Sequence, residues 1–127
     1  MIELKDLVKT YGPVRALNGL NLNVPSGSLY GLLGPNGAGK STALRILCTL
    51  LVPDSGKVLI GGQDALKETR NIRKLLGYVA QDVSIDKILT GRELLKFQSD
   101  LYHLPSKVQN DRIPELIELL NMGDWID

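Results

Sequence analysis

Gly34-Pro35-Asn36-Gly37-Ala38-Gly39-Lys40-Ser41-Thr42 meets every position of the pattern G-x-x-x-x-G-K-[ST], with a further glycine, Gly37, inside it. Gly34, Gly37 and Gly39 carry no Cβ, so the main chain there can take positive φ and turn its N–H groups inward around an anion. Lys40 adds a positive charge suited to the β- and γ-phosphates of a nucleotide, and Ser41 offers a hydroxyl to Mg²⁺. Ser41 and Thr42 open a helix whose dipole and unpaired amides face the same anion. Pro35, Asn36 and Ala38 complete the loop, and the whole stretch reads as a nucleotide phosphate site.

The flanks supply the context such a loop needs. Ser-Leu-Tyr-Gly-Leu-Leu at 28–33 reads as a short buried strand, and 43–50 as a helix with apolar residues at helical spacing. Strand, loop and helix in that order predict an α/β fold.

Upstream, residues 2–9 mix apolar and charged side chains and read as a strand that could carry a bulge, followed by a turn at Tyr11-Gly12-Pro13. Residues 14–17 continue in extended form. Leu20, Leu22 and Val24 then alternate with Asn21 and Asn23, the pattern of a strand buried on one face. Downstream, Pro53-Asp54-Ser55-Gly56 is a turn leading to a strand at 57–60 that Gly61-Gly62 closes. Asn71 is placed to cap a helix at 72–76 ending on Gly77, and Tyr78-Val79-Ala80 makes a brief strand before Gln81. Residues 82–88 lack periodicity and read as a surface loop. Thr90-Gly91-Arg92-Glu93 spells a capping box for a helix with Leu94, Phe97, Gln98 and Leu101 on one face. A last helix carries Ile113, Leu116, Ile117 and Leu120, with Pro114 expected to start or kink it.

Composition bounds the class of molecule. The 127 residues are 43% hydrophobic and 23% charged, ordinary for one domain with a real core. A formal net charge of +1 with interspersed signs argues against nucleic acid or an acidic membrane surface as partner. Cys48 is the only cysteine, which fits packing in a reducing, cytosolic compartment. No run approaches the roughly eighteen apolar residues of a membrane span, so no direct insertion is expected, and Glu3, Lys5 and Asp6 argue against a signal peptide.

Taken together, Tyr11, the loop at 34–42, the turn at 53–56 and Gln81 resemble, in order and over the whole chain, the ATP-binding domain of ABC transporters. Leu89-Thr90-Gly91-Arg92-Glu93 is similar to the daunorubicin-resistance type of drug exporter. The resemblance implies a P-loop nucleoside triphosphate hydrolase fold of the ABC ATPase type with an N-terminal antiparallel β portion. It makes Gly34 to Thr42 the Walker A motif and Tyr11 the aromatic that stacks on adenine. Gln81 becomes the glutamine that touches Mg²⁺ or the attacking water and senses a transmembrane permease subunit. Lys40 and Gln81 would be the catalytic contributors, Ser41 and Gln81 the Mg²⁺ contacts, and Mg-ATP the bound species. A second ATP-binding subunit, as a homodimer, and a cytoplasmic position peripheral to the inner (plasma) membrane follow from the same resemblance.

Residues 122–127 resemble the segment that leads into the family's signature helix, but the motifs that follow it in the family are absent from these 127 residues. The sequence contains no L-S-G-G-Q signature, no apolar strand ending in Asp-Glu as Walker B requires, and no switch histidine. Gly61-Gly62-Gln63 lacks the preceding serine and fits the family's glycine hairpin, and His103 lies at a helix end. Residues 1–127 are therefore expected to be the N-terminal portion of such a domain, incomplete as a fold, with 28–33 left unpaired at its edges. Such a chain is expected to bind ATP without efficient hydrolysis. The alternatives are a soluble ABC ATPase of translation or DNA repair and a truncated, non-catalytic fragment that keeps a partner surface near Gln81.

Overall fold

The computed structural model describes residues 1–79, 88–123 and 126–127. The chain divides into two compact units, 1–79 and 80–127.

In the first unit, β1 (Ile2–Tyr11) and β2 (Val14–Val24) form a hairpin turned by Gly12 at φ 53°, and β3 (Ser55–Ile60) and β4 (Gln63–Asp64) form a second. The sheet order is β2-β1-β3-β4 with every neighbouring pair antiparallel. Gly61 and Gly62 make the two-residue β3–β4 turn, both at positive φ (58° and 81°), which is the twist a tight hairpin requires.

The bulge allowed for in β1 is present and has a purpose. Leu4 and Leu7 are both buried, yet a spacing of three would put them on opposite faces of a regular strand. The pairing with β2 and β3 slips between them, and Asp6 takes φ 48°, so the strand is re-phased and both leucines reach the core. Asn21 supports the kink: its Oδ1 accepts from the Asp6 amide at 3.0 Å, and its Nδ2 donates to Asp6 Oδ1 at 3.1 Å. Gly56 on β3 must be glycine there, because a Cβ would lie 2.6 Å from the Lys5 carbonyl oxygen and 2.7 Å from the Leu7 Cα.

Helix α1 (Lys40–Leu47) lays Ala43, Ile46 and Leu47 on this sheet, in one cluster with Leu4, Leu7, Leu17, Val58, Ile60, Ala65 and Ile72. Fully burying a leucine or isoleucine contributes about 1.5–3 kcal/mol, so this cluster is what holds the helix to the sheet. Helix α2 (Thr69–Leu75) contributes Ile72.

Several expectations are corrected in this unit. Residues 28–33 are not a buried strand: they have no regular structure, and Leu29 and Leu33 are 102% and 93% exposed. No strand pairs with them among the described residues, and a lone strand cannot satisfy its backbone or cover its apolar side chains. Helix α1 starts at Lys40, one residue before the Ser41 expected to open it, but ends at Leu47 rather than at residue 50, where Cys48 and Thr49 turn the chain. Helix α2 also starts early, with Glu68 rather than Asn71 at its N-cap position. The turn before it is set by Asp64, whose carboxylate accepts from the Leu66 amide at 3.0 Å while its carbonyl accepts from Glu68 N at 2.9 Å. At the other end Leu76 is extended and Gly77 has no positive φ, so the expected glycine cap is not formed. Tyr78 and Val79 lack strand structure, and Ala80 and Gln81 lie outside the described residues.

In the second unit, α3 (Gly91–Leu101) and α4 (Ser106–Leu119) pack together. The expected face of α3 is displaced: Leu94 and Leu95 are half-buried and Ser99 is buried, while Phe97, Gln98 and Leu101 are exposed. Ser99 tolerates burial because its hydroxyl donates back to the Leu95 and Lys96 carbonyls. In α4 Ile117 is buried and Ile113 and Leu116 are half-buried, whereas Leu120 is exposed. Pro114 sits inside α4 rather than at its start, on an exposed face. Buried Gln109 joins the two helices through 2.8 Å bonds from Nε2 to Asp100 Oδ1 and to the Leu104 carbonyl.

Candidate nucleotide-binding site

The loop at 34–42 adopts the backbone its glycines permit. Gly37 and Gly39 have φ of 84° and 85°, and the Ala38 amide closes a turn onto the Pro35 carbonyl at 3.2 Å. Gly39 is the N-cap of α1 in a left-handed conformation, and no side chain caps the helix. Its first backbone bond runs from Ala43 N to Gly39 O at 2.9 Å, so the amides of Lys40, Ser41 and Thr42 precede the helical ladder. No acidic side chain stands in that first turn. An anion placed there meets free donors and the positive end of the helix dipole.

Two neighbours fix the loop's position. A Cβ on Gly39 would sit 2.4 Å from the Ala16 carbonyl oxygen and 2.8 Å from Leu17 Cδ2, so the head of α1 is pressed against β2 as only glycine allows. Lys40 folds its ammonium over the loop, donating to the Gly34 and Pro35 carbonyls at 2.6 Å each. Those bonds hold the cation at the loop's mouth, where it can exchange a carbonyl for a phosphate oxygen. Ser41 is exposed and Thr42 half-buried at the start of the helix.

Tyr11 ends β1, paired with Val14 across the turn, and is about half exposed. It belongs to the same hairpin whose Ala16 and Leu17 back Gly39. Tyr11 and the residues from 34 to 42 thus all lie in the first unit. Gln81 lies outside the described residues, so nothing in the geometry bears on its part in the site.

Sequence reasoning missed the groups around Tyr11. Lys9 Nζ stands 5.8 Å from the Tyr11 ring centroid and donates to Asp54 Oδ1 at 2.8 Å. Asp54 Oδ2 accepts from the Thr10 amide at 2.7 Å, and Asp54 N donates to the Val8 carbonyl at 2.9 Å. These contacts hold the Asp54 carboxyl below its ordinary range, the Lys9 hydrogen bond foremost and the Thr10 amide next. The i, i+2 spacing of Lys9 and Tyr11 on a strand was the available signal; nothing in the spacing pointed to Asp54.

The second unit holds an apolar cleft of about 250 Å³ lined by Leu94, Leu95, Leu116, Ile117, Met122 and Ile126 among others. It offers almost no polar groups and does not suit a triphosphate. No group of three or more His, Cys, Asp or Glu side chains forms a metal cluster among the described residues.

The sequence profile of the family described as "ABC transporter" matches residues 17–127. The chain belongs to the ABC transporter family. It is 44% identical over 126 residues to the daunorubicin/doxorubicin resistance ATP-binding protein DrrA of Streptomyces peucetius, covering 99% of this chain and 38% of that protein. It is 41% identical over 122 residues to the probable multidrug ABC transporter ATP-binding protein YbhF of Escherichia coli (strain K12), covering 96% of this chain and 21% of that one. The fold is that of an ABC ATPase cassette. The dimeric structure of MJ0796, a bacterial ABC transporter cassette, superposes with a TM-score of 0.82 at 26% identity over all of this chain and 60% of that one. A post-hydrolysis state of the same cassette, bound to ADP and Pi, superposes with a TM-score of 0.80 at 26% identity, over 99% of this chain and 60% of that one. The chain therefore spans about two fifths of the length of its resistance-protein relative. Among the described residues no helix is long and apolar enough to cross a membrane.

Proposed function

We propose that residues 1–127 are the N-terminal portion of an ATP-binding domain that couples Mg-ATP to transport, in the export direction suggested by the names of the resistance and multidrug relatives. The observation that carries this reading is the uncapped N-terminus of α1 behind a glycine loop, with the Lys40 ammonium folded over it. In this reading the amides of 34–42 and Lys40 hold the triphosphate, and Tyr11 stacks on adenine. Ser41 and Gln81 are the oxygen donors that would hold Mg²⁺, a hard cation suited to hydroxyl and amide oxygens. The exposed Ser41 at the head of the helix fits that role. When bound, the cation offsets the negative charge of the phosphates.

A transmembrane subunit docking through the Gln81 loop and a second ATP-binding subunit complete the assembly, which would lie at the cytoplasmic face of the membrane. The dimeric cassettes among the structural relatives support pairing. Lys40 and Gln81 would assist hydrolysis, but the 127 residues encode neither the Walker B carboxylate nor the signature motif, so they bind without efficient turnover.

The test is equilibrium binding of a fluorescent ATP analogue with Mg²⁺, beside Lys40→Ala, together with phosphate release and thermal melting. At a hundredfold excess over Kd, ATP should stabilise the fold by about 2.7 kcal/mol. Binding indifferent to Lys40→Ala would overturn the site, and Lys40-dependent phosphate release at an ordinary ATPase rate of about 1 s⁻¹ or more would overturn the non-hydrolytic assignment.

A further inference from the structure

Lys9 and Tyr11 stand together at the end of β1, where the Lys9 ammonium lies over the tyrosine ring. The Lys9 side chain is only 16% exposed, unusual for a lysine, and its ammonium is held at 2.8 Å by Asp54 Oδ1. Asp54 is itself anchored twice to β1, through the Thr10 amide and the Val8 carbonyl. A lysine so tied cannot sweep through its usual rotamers, and its charge rests 5.8 Å from the centre of the tyrosine ring.

From this arrangement we infer that Lys9 and Asp54 are positioning residues for nucleobase binding. Asp54 pins Lys9 against one face of Tyr11, which fixes the ring and leaves its other face for a flat base. The inference rests on the reading of Tyr11 as the base platform given above. Its physical content is pre-organisation. A free tyrosine at a strand end must give up side-chain rotation when a base stacks on it, whereas a ring already held by a cation gives up less. The ion pair and the cation–π contact do nothing for the phosphates, so their effect falls on the base alone.

That selectivity supplies the test. Binding of ATP and of inorganic tripolyphosphate, each with Mg²⁺, is measured on the 127-residue chain and on Tyr11→Ala, Lys9→Met, Lys9→Arg and Asp54→Asn, with melting curves for each. Tyr11→Ala should weaken ATP about tenfold, in line with loss of one stacked base, and leave tripolyphosphate unchanged. Lys9→Met keeps the aliphatic stem and removes the charge. It should weaken ATP about three- to fivefold with tripolyphosphate unchanged, and Asp54→Asn should act in the same direction. Lys9→Arg keeps a cation over the ring and should restore ATP binding.

If Lys9→Met weakens both ligands alike, its role is in the fold and the inference is overturned. It is overturned equally if Lys9→Met alters neither ligand while Tyr11→Ala remains selective for ATP. If Tyr11→Ala also leaves the ratio of ATP to tripolyphosphate affinity unchanged, Tyr11 is no base platform, and both readings fall together.

Discussion

The heads of α1 and α3 are the same piece of backbone geometry finished in opposite ways. At α3, Thr90 Oγ1 accepts from Glu93 N at 3.2 Å and Glu93 Oε2 accepts from Thr90 N at 2.9 Å, while the Arg92 amide is taken by the Ile126 carbonyl at 2.9 Å. At α1 no side chain caps the helix, no acid stands in the first turn, and the residue ahead of it is a left-handed glycine. A helix end satisfied by its own protein has no donors left for a ligand. The end that is left open is destabilised by the lack of a cap, and its amides stay available to the anion site proposed above.

The comparison breaks most visibly at Gly39. Alanine there meets both a φ of 85° and a backbone oxygen at 2.4 Å, so Gly39→Ala should cost about 2–5 kcal/mol from strain and overpacking combined. Urea unfolding measures it, and a change under about 1 kcal/mol, smaller than strain alone should cost, would show that the head of α1 is not pressed on β2. Next in size is Lys40→Ala. Removing a charged donor to phosphate should weaken ATP ten- to a hundredfold, equivalent to about 1.5–3 kcal/mol. Circular dichroism should stay unchanged, since among the described residues the Lys40 ammonium bonds only to its own loop.

The closed end responds in the complementary way. Thr90→Ala should destabilise the second unit by about 1 kcal/mol through loss of the capping box, with no change in nucleotide affinity. A drop in ATP binding in this variant would mean that the two helix heads are not independent.

What was readable in the sequence follows the same division. The glycine loop ahead of α1, the capping box and the glycine hairpin depend on local chemistry, and each has the backbone its residues called for. Helix ends were harder. Three helices finish on Thr49, His103 and Asn121 at φ of 57°, 54° and 53°, each closing paired bonds back into the last turn. None is glycine, so the glycine rule found none of them, and Gly77, where it pointed, is not a cap. Thr49 tolerates this conformation under tertiary restraint: Arg73 donates to its hydroxyl at 2.8 Å and to its carbonyl at 3.0 Å. Residues 28–33 divide the two readings made of them: the buried strand is not formed, whereas the expected lack of pairing at their edges is seen among the described residues. Their apolar pattern is that of a buried strand, but a strand is a property of its neighbours, and pattern alone cannot supply them.

The smallest expected effect compares the two carboxylates that brace these regions, Asp54 beside the open site and Asp127 beside the closed helix head. Lys9 first and the Thr10 amide second lower the pKa of Asp54, and hydrogen bonding to Arg92 lowers that of Asp127. A carboxyl that is more acidic in the folded chain than in the unfolded one stabilises the fold at pH values above the unfolded pKa, about 3.9. That stabilisation is constant from neutral pH to about pH 5, declines as pH falls through the carboxylate range, and vanishes below the folded pKa. Both groups are exposed, so the effect is small and screened by salt. Carboxyl NMR titration should give both aspartates midpoints below the ordinary value. Asp54→Asn should flatten the acid limb of stability and of ATP affinity together, whereas Asp127→Asn should flatten stability alone, because only the first carboxylate holds, through Lys9, the ring proposed to stack on the base.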